Sequence, residues 1–222
     1  MKKLCIILML VATNVFSQQM DIKNVQDVFT LKEIIGDKYS PYGSDVKGSA
    51  FIHSELQNIS IEGNEMKGKY NAARDYMELD KEGSTVFFLP AIEYRYKVIF
   101  TDLNETYQAF EYEKFKYGFF KILNEGKNAK LLCKEKILFK PEVKPKSSFD
   151  TYKPAEFKRK KDIYYIKFKE KDLVFELSTR KSKFLNVFND HSGAVKKFIK
   201  DEKLNIKDKN DLIKIFDYYN TL

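Results

Sequence analysis

From about residue 50 to 140, short runs rich in Tyr, Phe, Ile, Leu and Val alternate with charged residues, and turn signals interrupt them. This rhythm predicts strands near 51–61, 67–79, 84–89, 94–102, 105–112, 116–124 and 128–140. The breaks fall at Glu62-Gly63-Asn64, Lys81-Glu82-Gly83, Pro90, Leu103-Asn104 and Asn124-Glu125-Gly126. Tyr94, Tyr96, Val98 and Phe100 occupy alternate positions, with Arg95 and Lys97 between them, as in a sheet with one buried face. Strands this short and regular predict an antiparallel meander, either a curved sheet or a partly closed barrel.

The pattern breaks at 141–161, where Pro141, Pro145 and Pro154 sit among lysines and serines. A Lys/Pro-rich loop is expected there. Two more strands are expected at 163–168 and 173–177, and then the period becomes helical. Phe184, Leu185 and Phe188 mark one helix; Val195, Phe198 and Ile199 a second; Leu212, Ile215, Phe216 and Tyr219 a third. Asp208 is placed to cap the third, with Asp211 three residues on. Helices of about ten residues cannot stand alone, so their apolar stripes must pack on the sheet or on one another. The fold class expected is α+β: meander over 49–140, loop over 141–161, and two strands plus three short C-terminal helices over 162–222, packed on the same domain. Residues 18–48 are poorly patterned and are expected to be irregular, with room for a short helix over 25–35.

The N-terminus has a different logic. Lys2 and Lys3 precede an unbroken apolar run at 4–11, residues 12–16 taper it, and Val15 and Ser17 supply small side chains. Those are the parts of a secretory signal peptide, expected over 1–17 with Gln18 following the cut. The apolar run is shorter than the roughly 20 residues a helix needs to cross a bilayer. Cys5 lies inside the run rather than at its end, where a lipid would be attached. No later segment is long and apolar enough for a membrane helix.

Export changes how composition reads. The chain carries 40 Lys+Arg against 32 Asp+Glu, a formal +8, which falls to +6 without Lys2 and Lys3. Phe (19) and Tyr (14) are abundant while Trp is absent, a bias that favours strands. Past residue 17 the one cysteine is Cys133, so no disulfide can form within that part of the chain. Alternation places Cys133 with Leu131, Ile137 and Phe139, as a small buried hydrophobe.

Residues that carry common chemistries are scarce. His53 and His191 are far apart and lack a second ligand at metal spacing. No HExxH, CxxC, Walker, GxGxxG or GxSxG pattern occurs. No cofactor or metal is expected. The candidate binding residues are therefore aromatic and basic. Tyr94, Tyr96, Phe100, Phe115, Tyr117 and Phe119 form either the core of the meander or, in part, the wall of an apolar pocket. Of these, Tyr94, Tyr96 and Phe119 are the binding candidates. Lys158, Arg159, Lys160 and Lys161 are the densest charge feature, either a solvated loop or a dock for anionic groups. In an exported protein, anionic lipid headgroups, surface glycans or an envelope protein are more sensible partners than nucleic acid.

Several stretches resemble a family of small exported proteins of Bacteroidetes-type Gram-negative bacteria. They are Lys69-Tyr70-Asn71 to Tyr76-Met77-Glu78-Leu79, the run GFFKILNEG at 118–126, and residues 198–220 through Asp211-Leu212 to Tyr218-Tyr219-Asn220. The resemblance implies a β-rich envelope protein and carries no activity and no site residues.

Together these readings lead to an expected non-enzymatic binding or structural role in the envelope, most naturally the periplasm, with an extracellular location as the other option. Two alternatives make different demands. A carrier of a lipid or other apolar ligand needs a cavity lined by meander aromatics. A carboxylate hydrolase needs two acids roughly 5–9.5 Å apart in a cleft.

Overall fold

The computed structural model describes residues 46–81, 83–90, 96–147 and 150–222; the expected signal peptide, residues 18–45 and Tyr94 lie outside the described residues. Alternating apolar positions give eight strands up to residue 134: β1 (Gln57–Ile61), β2 (Asn64–Asn71), β3 (Tyr76–Lys81), β4 (Ser84–Phe88), β5 (Lys97–Phe100), β6 (Glu105–Glu113), β7 (Lys116–Glu125) and β8 (Ala129–Lys134). Four more follow: β9 (Ile137–Lys140), β10 (Glu156–Arg159), β11 (Ile163–Phe168) and β12 (Phe175–Glu176). The helices are α1 (Lys181–Asn186), α2 (Ser192–Asp201) and α3 (Lys209–Tyr219), with a single 3-10 turn at Asn189–His191 between the first two.

Ten strands form one antiparallel sheet in the order β12-β11-β8-β7-β6-β5-β1-β2-β3-β4. It consists of two four-stranded meanders joined where β1 pairs with β5, extended by β11 and β12. The sheet is not closed, which corrects the expected partly closed barrel. Its ends are β4 and the two-residue β12, which is too short to offer a closing ladder.

Local chemistry explains where the elements depart from the sequence rhythm. The expected strand 67–79 is two strands, because Asn71 turns the chain: its side-chain Oδ1 accepts from the amides of Ala73 and Arg74, both at 3.1 Å. The expected strand 128–140 breaks at Glu135 and Lys136, between β8 and β9. The expected strand 51–61 is paired as a strand only from Gln57. The expected loop 141–161 contains β10, which pairs with β9 as a separate two-stranded sheet. Phe157 is the one strongly apolar residue of that Glu-Phe-Lys-Arg strand, too little alternation to be seen. Between β1 and β2 the expected turn is tight: Glu62 and Gly63 both have positive φ (50° and 79°), as a two-residue hairpin requires.

Strand alternation and cross-strand register assign side chains to two faces. On one face Ile59, Val98, Phe100, Tyr107 and Phe119 form an aromatic core, capped by Ile52, Ile137 and Phe157 from outside the large sheet. Farther along the same face, Leu131 and Ile166 meet the helical stripe of Phe184, Phe188, Val195 and Ile199. Here α3 lays down Leu212, Ile215, Phe216 and Tyr219, the four positions its periodicity predicts. Asp208 caps α3, accepting from the amides of Asn210 (2.9 Å) and Asp211 (3.1 Å). The opposite face carries a smaller cluster, Phe110, Phe120, Leu132 and Val174. Burying each such large side chain contributes about 1.5–3 kcal/mol, so these clusters dominate the favourable side of folding.

One ion pair pins the two meanders together. The Lys134 ammonium donates to Asp75 Oδ2 (2.6 Å) and to the Phe119 carbonyl (2.8 Å), while Asp75 Oδ1 accepts from the Phe119 amide (3.1 Å) and the Tyr70 hydroxyl (2.7 Å). Burial lowers the Lys134 pKa against the opposing pull of Asp75. Gly118 makes this possible, because a Cβ there would lie 2.6 Å from Lys134 Nζ and 2.7 Å from Asp75 Oδ2. No helix among the described residues is long and apolar enough to cross a membrane.

Candidate functional site

The structure scatters the residues that the sequence singled out. Phe119 is fully buried, with its ring 5.7 Å from Phe88 and 6.2 Å from Tyr70. Tyr96 packs half-buried against the same core. Phe115, expected in the same stripe, is instead 80% exposed in the β6–β7 turn at φ 60°. Lys158 and Arg159 end β10, and Lys160 and Lys161 follow it, all four exposed.

Arg159 is already engaged. It donates to Glu135 Oε1 (2.9 Å) and to Asp162 Oδ1 (2.7 Å). Glu135 is 6% exposed, and its other oxygen accepts from the Tyr107 hydroxyl at 2.5 Å. Tyr107 also stands 3.4 Å from Glu105, which pairs with Lys121 and lies 3.3 Å from His53 Nε2. Two carboxylates thus face one tyrosine hydroxyl, and each is neutralised from outside by a cation. Burial raises the Glu105 carboxyl, but its hydrogen bonds and charge pairing with Lys121 and His53 outweigh that and leave it below the ordinary range. Burial, then Glu135, pushes the Tyr107 hydroxyl far up, so it remains a protonated donor. Cys133 is buried beside this network, and burial likewise raises its thiol. No group of three or more His, Cys, Asp or Glu is placed to hold a metal among the described residues.

A groove of about 450 Å³ lies elsewhere, where the β7–β8 turn, the β11–β12 turn, the 3-10 turn and the end of α3 converge. Its basic residues are Lys127, Lys169, Lys171 and His191, against the single acid Glu170. Its apolar wall is Phe168 and Tyr219, and Asn128 and Asn189 add amide groups. None of the three lysines has a carboxylate within ion-pair distance among the described residues. Lys171 instead rests on the rings of Phe168 (5.2 Å) and Phe175 (5.0 Å), which holds its charge at the rim.

The sequence builds this groove through one residue. Asn220, at the end of α3, accepts from the amides of Asn128 and Ala129 (3.0 Å each) and donates to Asn124 Oδ1 and the Ala129 carbonyl (3.0 Å each). Asn128 in turn donates to the Tyr219 carbonyl (3.1 Å). The turn that carries Lys127 is thereby fastened to the helix that carries Tyr219. Gly126 leaves the space, since a Cβ there would fall 2.0 Å from Asn220 Cγ and Nδ2. The facing turn is tied on by the Lys169 amide, which donates to the Asn128 carbonyl (3.2 Å). His191 places its ring edge-on to Tyr219, 5.9 Å away.

Sequence reading missed this site because its lysines come from two turns more than forty positions apart, each unremarkable in a lysine-rich chain. The turn at Asn124-Glu125-Gly126, one of the breaks in the strand rhythm, meets the terminal Tyr218-Tyr219-Asn220 here. No family model, curated protein or solved structure matches the chain closely enough to count as a relative.

Proposed function

We propose that this chain is an exported, non-enzymatic binding protein of a bacterial envelope, and that its ligand is an anion seated in the groove of Lys127, Lys169 and Lys171. One observation carries the reading. The inward-facing Lys121 and Lys134, and the exposed Arg159, each have a carboxylate partner, whereas these three lysines share an open concavity with none among the described residues. A concave site lined by unpaired cations and low-dielectric walls focuses potential on an incoming anion. The same contrast favours binding over hydrolysis, because Glu105 and Glu135 are spent on neutralising cations inside the fold.

Export is supported by the charged, apolar and small-residue order of positions 1–17, and the envelope by the family resemblance. The reading predicts that galacturonate, used as a simple carboxylate probe, binds the full chain in a salt-sensitive way by calorimetry. The triple variant Lys127→Ser, Lys169→Ser, Lys171→Ser should weaken that binding about tenfold, from roughly 0.5 kcal/mol per exposed pair. Unchanged affinity in this variant overturns the site. For export, expression with the native N-terminus in a Gram-negative host should yield a periplasmic product beginning at Gln18. A full-length product retained in the cytoplasm overturns that part.

A further inference from the structure

The β6–β7 hairpin outruns both of its neighbours. Strand β5 pairs with β6 only as far as Gln108, and β8 pairs with β7 only from Lys121 on. Within the sheet, residues 109–113 and 116–120 therefore pair only across the hairpin and form a projecting finger. Two contacts from elsewhere in the chain brace its root. Asp75 Oδ1 accepts from the Phe119 amide (3.1 Å), and the Val174 amide donates to the Glu111 carbonyl (2.9 Å). At the tip stands Phe115, 80% exposed, the largest value among the exposed large hydrophobic residues. A lone exposed ring needs no explanation, but this one also sits at φ 60°. Bulky L side chains take that left-handed backbone only at a cost. Every other described residue with positive φ is glycine or polar. The fold bears this strain for a ring that it leaves in water.

The charges around the ring are all accounted for. Glu111 folds back, its Oε1 accepting from the Phe115 amide (2.7 Å), and Glu113 pairs with Lys116 (3.3 Å). The Lys116 ammonium lies over the Tyr112 ring at 5.1 Å and that of Lys114 over the Phe115 ring at 5.2 Å. Two lysines thus balance two glutamates, and the tip itself is neutral. We infer that Phe115 is an interfacial anchor, which enters the headgroup zone of a lipid bilayer while Lys114 and Lys116 reach back to the phosphate level. Shape decides the occupant. A stable protein interface needs roughly 800 Å² from each partner. The finger offers one ring on a convex tip among charged neighbours. A bilayer is fluid and closes around a single projection without a matching surface. Stable attachment takes two signals, and the formal +8 of the chain supplies the second by drawing it to anionic lipid.

The chain contains no tryptophan, so Phe115→Trp places a single fluorescent reporter at the tip. The test titrates this variant with mixed phosphatidylcholine–phosphatidylglycerol vesicles at physiological salt. The expected result is an emission that moves to the blue and is quenched by brominated lipid. Phe115→Gly should bind the same vesicles about tenfold more weakly, or worse, because the buried ring is lost. It should melt no lower than the wild type, since glycine takes positive φ without strain. Vesicle binding with unchanged tryptophan emission puts another face of the protein on the membrane and overturns the anchor. So does a Phe115→Gly variant that binds vesicles as the wild type does. A blue shift that appears without lipid and grows with protein concentration would seat the ring on a second copy instead, and overturns the lipid assignment. Anion binding in the groove is titrated separately, and none of these outcomes bears on it.

Discussion

The run Lys158, Arg159, Lys160, Lys161 and the groove of Lys127, Lys169 and Lys171 use nearly the same side chains for opposite ends. In the run, four cations are contiguous in sequence, but the strand that bears them sends Arg159 to the buried Glu135 and leaves the lysines in open solvent. In the groove, three cations from two turns converge on one concavity without a carboxylate partner. Charge density along a chain is therefore a poor guide to charge focused in space. What matters is whether the fold supplies a counter-ion, a wall and a fixed backbone.

The fixed backbone is where the largest effect is expected. Asn220→Ala removes one side chain that satisfies two amides and a carbonyl and bonds Asn124. With donors left unpaired near the helix, the loss should be about 2–4 kcal/mol in chemical denaturation. Gly126→Ala should have a similar effect by expelling the Asn220 amide, and both variants should weaken anion binding by releasing Lys127. Denaturation curves that overlay the wild type would show that the turn holds itself.

A smaller stability loss is expected in the run. Arg159→Ala leaves Glu135 buried, with Tyr107 as its remaining partner. Fully buried pairs cost about 3–5 kcal/mol when broken, but Arg159 is 42% exposed, so about 1–2 kcal/mol is the expected loss. Anion binding should not change. A loss of affinity on a par with the groove variants would erase the distinction between the two regions.

Acid sharpens the same contrast. The Glu105 carboxyl is lowered in the folded state because Lys121 and His53 outweigh its burial. A carboxylate with a depressed folded pKa stabilises the fold above its unfolded value of 4.5, and that contribution is lost as pH falls through the folded value. Stability should therefore decline below about pH 4.5, and Glu105→Gln should flatten the decline while lowering stability at neutral pH. A Glu105→Gln variant with the same acid slope as the wild type would place the acid sensitivity elsewhere.

How far this was readable from sequence follows the range of the interactions. The helical stripe of Leu212, Ile215, Phe216 and Tyr219 and the Asp208 cap depend on neighbours within two turns, and both were legible. The alternation of Val98 and Phe100 and the burial of Cys133 were local in the same way. The failures needed partners at long range. Nothing near Glu135 reveals that the strand ends where it meets Arg159, and nothing near Phe157 reveals that its amide will donate to the Lys47 carbonyl or that β9 will pair with it. The groove is the extreme case: Lys127 and Lys171 become neighbours only after β8, β11 and α3 have assembled.

The smallest effect is expected where the sequence signal was loudest, and it discriminates most cleanly. Lys158→Ser, Lys160→Ser and Lys161→Ser together remove as much positive charge as the groove triple variant. If long-range attraction set anion binding, the two triple variants would weaken galacturonate binding alike. At physiological salt the screening length is about 8 Å, so lysines outside the groove contribute little to a bound anion. The expected result is therefore a less than twofold change in affinity, with stability within about 0.5 kcal/mol of the wild type, as for exposed substitutions. Repeating both titrations at ten times lower salt stretches the screening length roughly threefold. The run variant should then begin to lose affinity while the groove variant stays the weaker of the two. A run variant already the weaker at physiological salt would reverse the assignment of roles and return the site to β10.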